Sequence, residues 1–244
     1  MIKFFRNIRQ QMLRENKLSK YLLYAIGEIV LVVIGILIAL SINNWNENRK
    51  LQQEELNLLL EVKTNLEVTV NNFEKDTVFN FNTIQEFRKI EEYIDKGLPY
   101  DAGLDKAFGM IGDWKSPYPI TTAYATLKTK GLDIIINPIL RNGIVHLYEY
   151  EFTVLYNDYD KGEWAILETA KPFLNKHLRI KNSMQSAGPN DFENLKLQIE
   201  FSNILGNIIG QREFGIKTYG EIMASMKDLI EQIDNELNSR NHNN

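Results

Sequence analysis

Between Tyr21 and Ile42 the chain carries one charged residue, Glu28, in 22 positions, and this block constrains the fold more than any other feature of the 244-residue sequence. An α-helix rises 1.5 Å per residue, so about 20 apolar residues cross a hydrocarbon core of roughly 30 Å. The segment YLLYAIGEIVLVVIGILIALSINNW, from Tyr21 to Trp45, supplies one such crossing. Its centre, Ile29 to Leu40, is apolar on every face, whereas a surface helix of a soluble domain carries a single apolar stripe. A cleaved signal sequence is the competing reading, since Ala39 and Ser41 are small residues spaced like a cleavage site. The apolar core exceeds the roughly 7 to 15 residues of such a signal, and helix-compatible sequence runs on without a break from Asn43 to Leu60. The expectation is an uncleaved transmembrane signal anchor over residues 21–45.

The flanks give the direction. Lys3, Arg6, Arg9, Arg14, Lys17 and Lys20 precede the span, and only Arg49 and Lys50 follow it closely. The excess of positive charge before the span places the N-terminus in the cytoplasm and residues 46–244 outside it. The expected topology is therefore one crossing, with the large C-terminal domain outside the cytoplasm. Tyr21, Tyr24 and Trp45 stand where interfacial aromatics belong. Within residues 1–20, Ile2, Phe5, Ile8 and Met12 recur at steps of three and four while the cations occupy other faces. That is a basic amphipathic helix able to lie on anionic lipid.

The net charge of −4 conceals a split. The first fifty residues hold eight of the 28 basic side chains and three of the 32 acidic ones, so residues 51–244 hold 20 basic against 29 acidic. Such an acidic domain repels phosphate backbones, and no nucleic-acid partner is expected. Cysteine is absent, which removes disulfides, thiolate nucleophiles and zinc thiolate sites. His146, His177 and His242 are far apart in sequence, and no metal or phosphate-loop spacing exists. Gly206-x-x-x-Gly210 lacks the Gly-Lys-Ser/Thr ending of such a loop. No cofactor, metal site or catalytic group is expected, and the chain does not read as an enzyme.

The outer region reads as all-α. Asn46 to Lys96 has no proline or glycine, and Leu59, Leu66, Phe73, Asn80, Phe87 and Ile94 form a seven-residue series beside Leu56, Lys63, Val70, Thr77, Ile84 and Glu91. The polar interruptions disfavour an isolated coiled coil and suit one seam packed in a bundle. A short helix is predicted over Asp101–Ile111, a second over Thr121–Lys130 ended by Gly131, and a third begun by Pro138. That third helix is expected to break near Asp160–Gly162 and to change at Pro172. Ser183–Asn190 reads as a polar loop, with Asp191 capping the last helical region. Gly206, Gly210, Gly215 and Gly220 imply a kink or a close helix approach there. With no sustained period-two alternation, the expected architecture is an antiparallel helical bundle whose core holds Leu59, Leu66, Phe73, Phe87, Ile230 and Ile233.

Several segments carry a resemblance. The opening MIKFFRNIRQQMLRENKLSKYLLYAIGEIVLVVIGILIALSINNWNENRK resembles the N-terminal signature of an uncharacterised family of bacterial single-span membrane proteins. TTAYATLKTKGLDIIINPILRNGIVHLYEYE is similar to that family's middle pattern, and MKDLIEQIDNELN to its closing helix. Thr129-Lys130-Gly131 departs from the pattern, where small serine-rich residues are commoner. The resemblance implies a bacterial inner membrane crossed once, with a periplasmic C-terminal domain of helical character; it implies no reaction.

Two sets of residues are candidates for function. Gly27, Gly35 and Ala39 share a stripe at four-residue steps through Leu31, along which two membrane helices can approach closely. Glu28 lies beside it, placed to reach the interface, to pair across an oligomer with Lys17 or Lys20, or to titrate in an ion pathway. Tyr148, Phe152, Tyr156 and Tyr159 form an aromatic face, either bundle core or the lining of a small-molecule pocket. Glu149 and Glu151 flank it but point to different sides, unsuited to paired acid and base work. The function expected is that of a membrane-anchored structural or interaction protein, self-associating or accessory to an envelope complex. The alternative is a ligand-sensing outer domain that signals through a partner.

Overall fold

The computed structural model describes residues 18–182 and 185–241. The expected amphipathic segment with Ile2, Phe5, Ile8 and Met12 lies outside the described residues, as does His242. The chain is predominantly helical and divides into two units, one ending at Glu55 and one running from Leu56 to Asn244.

The first unit is a stretch of α1, the helix Leu18–Asp95. An 18-residue window of α1 reaches a mean hydropathy of 2.8, and none of it is buried. Ile29, Leu31, Val33, Ile36 and Leu40, which point in different directions around the helix, are all exposed. Among the described residues this is the one helix long and apolar enough to cross a membrane. Its backbone donors and acceptors bond within the helix, which is the condition for a chain segment to enter lipid.

The second unit takes its shape from three long helical runs. The first is the remainder of α1. The second joins α4 (Pro138–His146), a π-helical turn (Leu147–Glu151), α5 (Phe152–Val154), a second π-turn (Leu155–Asp160) and α6 (Lys161–His177). The third is α8, Ile199–Asn241. Lys63 meets Asp234, Glu74 meets Lys227 and Arg88 meets Glu213, so α8 runs antiparallel to α1. Asn137 meets Glu236 and Glu163 meets Arg212, so α8 is antiparallel to the α4–α6 run as well. The α1 and α4–α6 runs therefore share one direction, because residues 96–137 carry the chain back along α1 through α2 (Asp105–Gly109) and α3 (Thr122–Lys130).

Several local expectations are met, and others are corrected. Gly131 ends α3 with φ of 103°, and Asn137 caps α4 by accepting from the amides of Ile139 and Leu140 ahead of Pro138. The predicted break near Asp160–Gly162 is instead a pair of π-turns, and the helix passes through Pro172 to His177. The reason is the spacing of buried residues. Leu140, Ile144, Tyr148 and Phe152 recur at steps of four, which drift around a 3.6-residue helix, and the wider i→i+5 turns hold them on one face. Ser183–Asn190 is not simply a loop. Leu178–Asn182 (β1) pairs antiparallel with Ser186–Pro189 (β2), with Ile180 opposite Ala187. This hairpin is too short to show period-two alternation. It is held by contact with α2, where Gly109 lets the backbone of Ser186 approach a position that a Cβ would occupy.

Asp191 caps the short α7 (Phe192–Lys196) rather than α8. The glycine series in α8 lies within one uninterrupted helix, and a Cβ at Gly206, Gly210 or Gly220 would meet nothing within 4 Å. Only Gly215 marks a close approach, to the ring of Tyr159.

The core is split in two. Leu59, Leu66, Phe73, Tyr148, Phe152, Tyr159, Tyr219 and Ile233 belong to one buried cluster, with Ile230 partly buried against it. Phe87 belongs to another, with Ile84, Phe108, Leu167, Phe201 and Ile208. The single core expected from the heptad series is thus interrupted, between Phe73 and Ile84 on α1, between Tyr159 and Leu167 on the second run, and between Ile209 and Tyr219 on α8.

Candidate functional site

The interruption is polar. At its level Asn80, Thr83, Asp160, Glu163 and Arg212 are buried. Arg212 and Glu163 are both inaccessible to solvent, and Arg212 Nε donates to Glu163 Oε1 at 2.7 Å. Arg212 Nη2 donates to the backbone carbonyl of Asp113, which ties the loop after α2 to the interior. The guanidinium also lies over the rings of Phe87, 5.1 Å away, and Phe79, 5.9 Å away. On α1, Asn80 Nδ2 donates to the Tyr159 hydroxyl at 2.8 Å.

The second π-turn and Gly215 place Tyr159 here. Its ring presses on the glycine face of α8 and meets Tyr219 edge-on at 5.6 Å. A π-turn leaves carbonyls without their usual helical partner, and Gln211 donates its amide to those of Asp158 and Tyr159, at 2.7 and 2.9 Å.

Burial dominates the electrostatics. It pushes the Glu163 carboxyl above its ordinary value, against the pull of the Arg212 guanidinium. It pushes the phenols of Tyr159 and Tyr219 up as well, with Glu163 adding to the shift of Tyr159. Among the described residues, five buried side-chain polar atoms have no hydrogen-bond partner: Asn80 Oδ1, Asp160 Oδ1, Glu163 Oε2, Arg212 Nη1 and the Tyr219 hydroxyl. Such atoms are rare in folded interiors and concentrate where a structure stores strain or binds something. The centre joins α6 to α8 through opposite charges, α1 through the Asn80 amide, and the loop after α2 through a backbone carbonyl.

Of the residues singled out by the sequence, Tyr148, Phe152 and Tyr159 are buried and Tyr156 is half exposed. Tyr148 stacks on Tyr124 with centroids 4.4 Å apart, and Phe152 meets Phe73 edge-on at 6.2 Å. Tyr156 instead receives Lys161 over its ring. Burial and the Glu149 carboxylate push the Tyr124 phenol up to about 12. In the first unit Gly27, Gly35 and Ala39 are exposed, Glu28 is half-buried, and a Cβ at either glycine would meet nothing within 4 Å.

Residues 28–204 match the Family of unknown function (DUF6090). The chain belongs to that family. No curated protein and no solved structure matches it. The DUF6090 match begins at Glu28, inside the apolar block, and includes Asn80, Tyr159, Asp160 and Glu163, while Gly27 precedes it and Arg212, Gly215 and Tyr219 follow its last residue. The Glu163–Arg212 pair was not among the expected sites, because its members lie 49 residues apart with no motif joining them. Two signals pointed toward it. Asn80 stands in an otherwise apolar seven-residue series, and Gly215 stands among glycines that a helix does not favour.

Proposed function

We propose that this DUF6090 chain is a single-pass protein of a bacterial inner membrane that works by contact rather than by catalysis, self-associating or serving as an accessory of an envelope complex. The observation that carries the reading is the apolar surface of Ile29–Leu40, exposed on every side of its helix. Water penalises a continuous surface of that size and a bilayer accepts it. In this reading the six cations ahead of the span stay in the cytoplasm against anionic lipid, and residues 46–244 lie in the periplasm. The open space beside Gly27 and Gly35, on one stripe with Ala39, suits the close approach of a second helix. Glu28 beside that stripe then pairs across the contact.

Two measurements test this. Protease added to spheroplasts should degrade residues 46–244 and protect the basic N-terminal tail, and a mature protein beginning near Ile42 would sink the topology. Crosslinking in native membranes should trap a dimer or a stoichiometric partner that Gly35→Leu weakens. A monomeric pattern that neither Gly35→Leu nor Glu28→Gln alters rejects association through this face.

A further inference from the structure

A cavity of about 540 Å³ opens where the loop after α2 faces α1, and its lining includes Lys75, Asp76, Asp113, Trp114, Lys115 and Tyr118. It brings two lysines and two aspartates to one opening. Many lysines and carboxylates elsewhere on the surface meet in pairs, such as Lys63 with Asp234, Lys106 with Glu86, Lys128 with Glu149 and Lys181 with Asp105. Lys75, Asp76, Asp113 and Lys115 enter no ion pair among the described residues. Asp76 is half-buried with no hydrogen bond to its carboxylate, and Lys115 pulls on it electrostatically from beyond contact distance. Burial pushes the Asp76 carboxyl up, so leaving it unpartnered carries a cost.

The geometry points to a binding site for a small zwitterion of the free amino acid class, whose ammonium group meets Asp76 and whose carboxylate meets Lys115. Two cations and two carboxylates facing one space are complementary to a ligand that is neutral overall and charged at both ends. A simple anion would meet the two aspartates, and a simple cation the two lysines. Cavities of roughly 300 to 1,000 Å³ hold ligands of this scale. Trp114, half-buried against the second core, and Tyr118, exposed at 78 %, offer ring surface to an apolar or aromatic side chain. The site is also wired to the interior, since the Asp113 backbone carbonyl accepts from Arg212. This assignment does not depend on whether the chain self-associates.

The experiment is calorimetric titration of the full-length protein, in lipid nanodiscs, with each common L-amino acid. The best binder is then compared with its N-acetyl derivative, which lacks the ammonium, and its carboxamide, which lacks the carboxylate. At least one amino acid should bind with Kd below about 1 mM, and each single-charge derivative should bind about tenfold more weakly, as expected for loss of one charge-assisted contact. Asp76→Asn should abolish discrimination against the N-acetyl derivative, and Lys115→Gln should abolish discrimination against the carboxamide, at unchanged melting temperature. The assignment is overturned if no amino acid binds in that range, or if both derivatives bind as tightly as the parent. It is equally overturned if the two variants keep the parent's discrimination. The derivative series needs no variant, so a misfolded mutant leaves the test intact.

Discussion

Two stretches of α1 have the same backbone and opposite surroundings. From Ile29 to Leu40 large aliphatic side chains point in all directions and none is buried, while from Leu56 to Asp95 the buried positions fall on one seam. Helix formation is therefore not what distinguishes them. The number of faces that carry apolar side chains decides which solvent each stretch accepts. A second contrast lies within the seam, where two apolar clusters are separated by a layer built on Glu163 and Arg212. The clusters stabilise by volume, and the layer holds only while its charges remain matched.

The largest effect is expected at the layer. Removing one partner of a buried ion pair typically costs about 3 to 5 kcal/mol, because the other charge is left uncompensated, whereas replacing both with apolar residues is often neutral. Arg212→Ala should lower the unfolding free energy of the domain by that amount. Glu163→Leu combined with Arg212→Met should return close to the parent, less about 0.5 to 1.5 kcal/mol for the lost bond to the Asp113 carbonyl. Equal losses in the single and double variants would show that the charges are not matched to each other. The pH dependence has a definite sign. The Glu163 carboxyl lies above its ordinary value of 4.5 in the folded chain. As pH rises from that value, the unfolded chain releases a proton that the folded chain retains, so stability falls until the folded value is passed. Arg212→Ala removes the cation that holds this carboxyl down, so the fall should extend to higher pH. The double variant should show none of it from this group.

Next comes the contrast along α1. Phe73 is fully buried between Phe152 and Tyr219, with ring centroids 6.2 and 4.8 Å away. Phe73→Ala should cost about 3 to 5 kcal/mol in denaturant unfolding followed by far-ultraviolet circular dichroism. Leu37 is 56 % exposed and buries nothing in this chain. Leu37→Ala should leave that transition unchanged, and a comparable loss would erase the distinction between the two stretches.

Much of this was legible in the sequence because it depends on near neighbours. The apolar block, the heptad seam, Gly131 and Pro138 each act within a turn or two of their own position. The rest depends on distant partners. The β1–β2 hairpin needs Gly109, some seventy residues earlier, and the π-turns answer to where the other helices place their side chains. Glu163 and Arg212 are two unremarkable charged residues until α8 folds back on α6. The aromatic face was read on a 3.6-residue helix, and the actual turns put Tyr156 half in solvent while Tyr159 is fully buried.

A smaller effect should follow at Gly215. An added Cβ would enter the ring of Tyr159, which is held between Asn80 and Tyr219 and has little room to retreat. Overpacking of this kind costs about 1 to 3 kcal/mol. Gly210→Ala is the control on the same helix, since its Cβ meets nothing within 4 Å, and it should stabilise slightly by favouring the helix. The two alanines should therefore have opposite signs, and equal signs would remove the case for close packing at Gly215.

The smallest effect is expected on the surface, where ion pairs mark direction without supplying much stability. Lys227 Nζ lies 3.0 Å from Glu74 Oε1, with both side chains more than half exposed. Exposed pairs contribute about 0 to 1 kcal/mol and weaken with salt. Lys227→Ala should shift the unfolding free energy by less than about 1 kcal/mol, and the difference should vanish in high salt. The exchange Glu74→Lys with Lys227→Glu restores opposite charges across the same antiparallel register and should recover the parent value. Compared with Arg212→Ala, the same loss of one cation then costs several times less, because water replaces the missing partner of Glu74 and cannot reach Glu163. A loss at Lys227 as large as that at Arg212 would mean that matching of charge, rather than its burial, sets the cost.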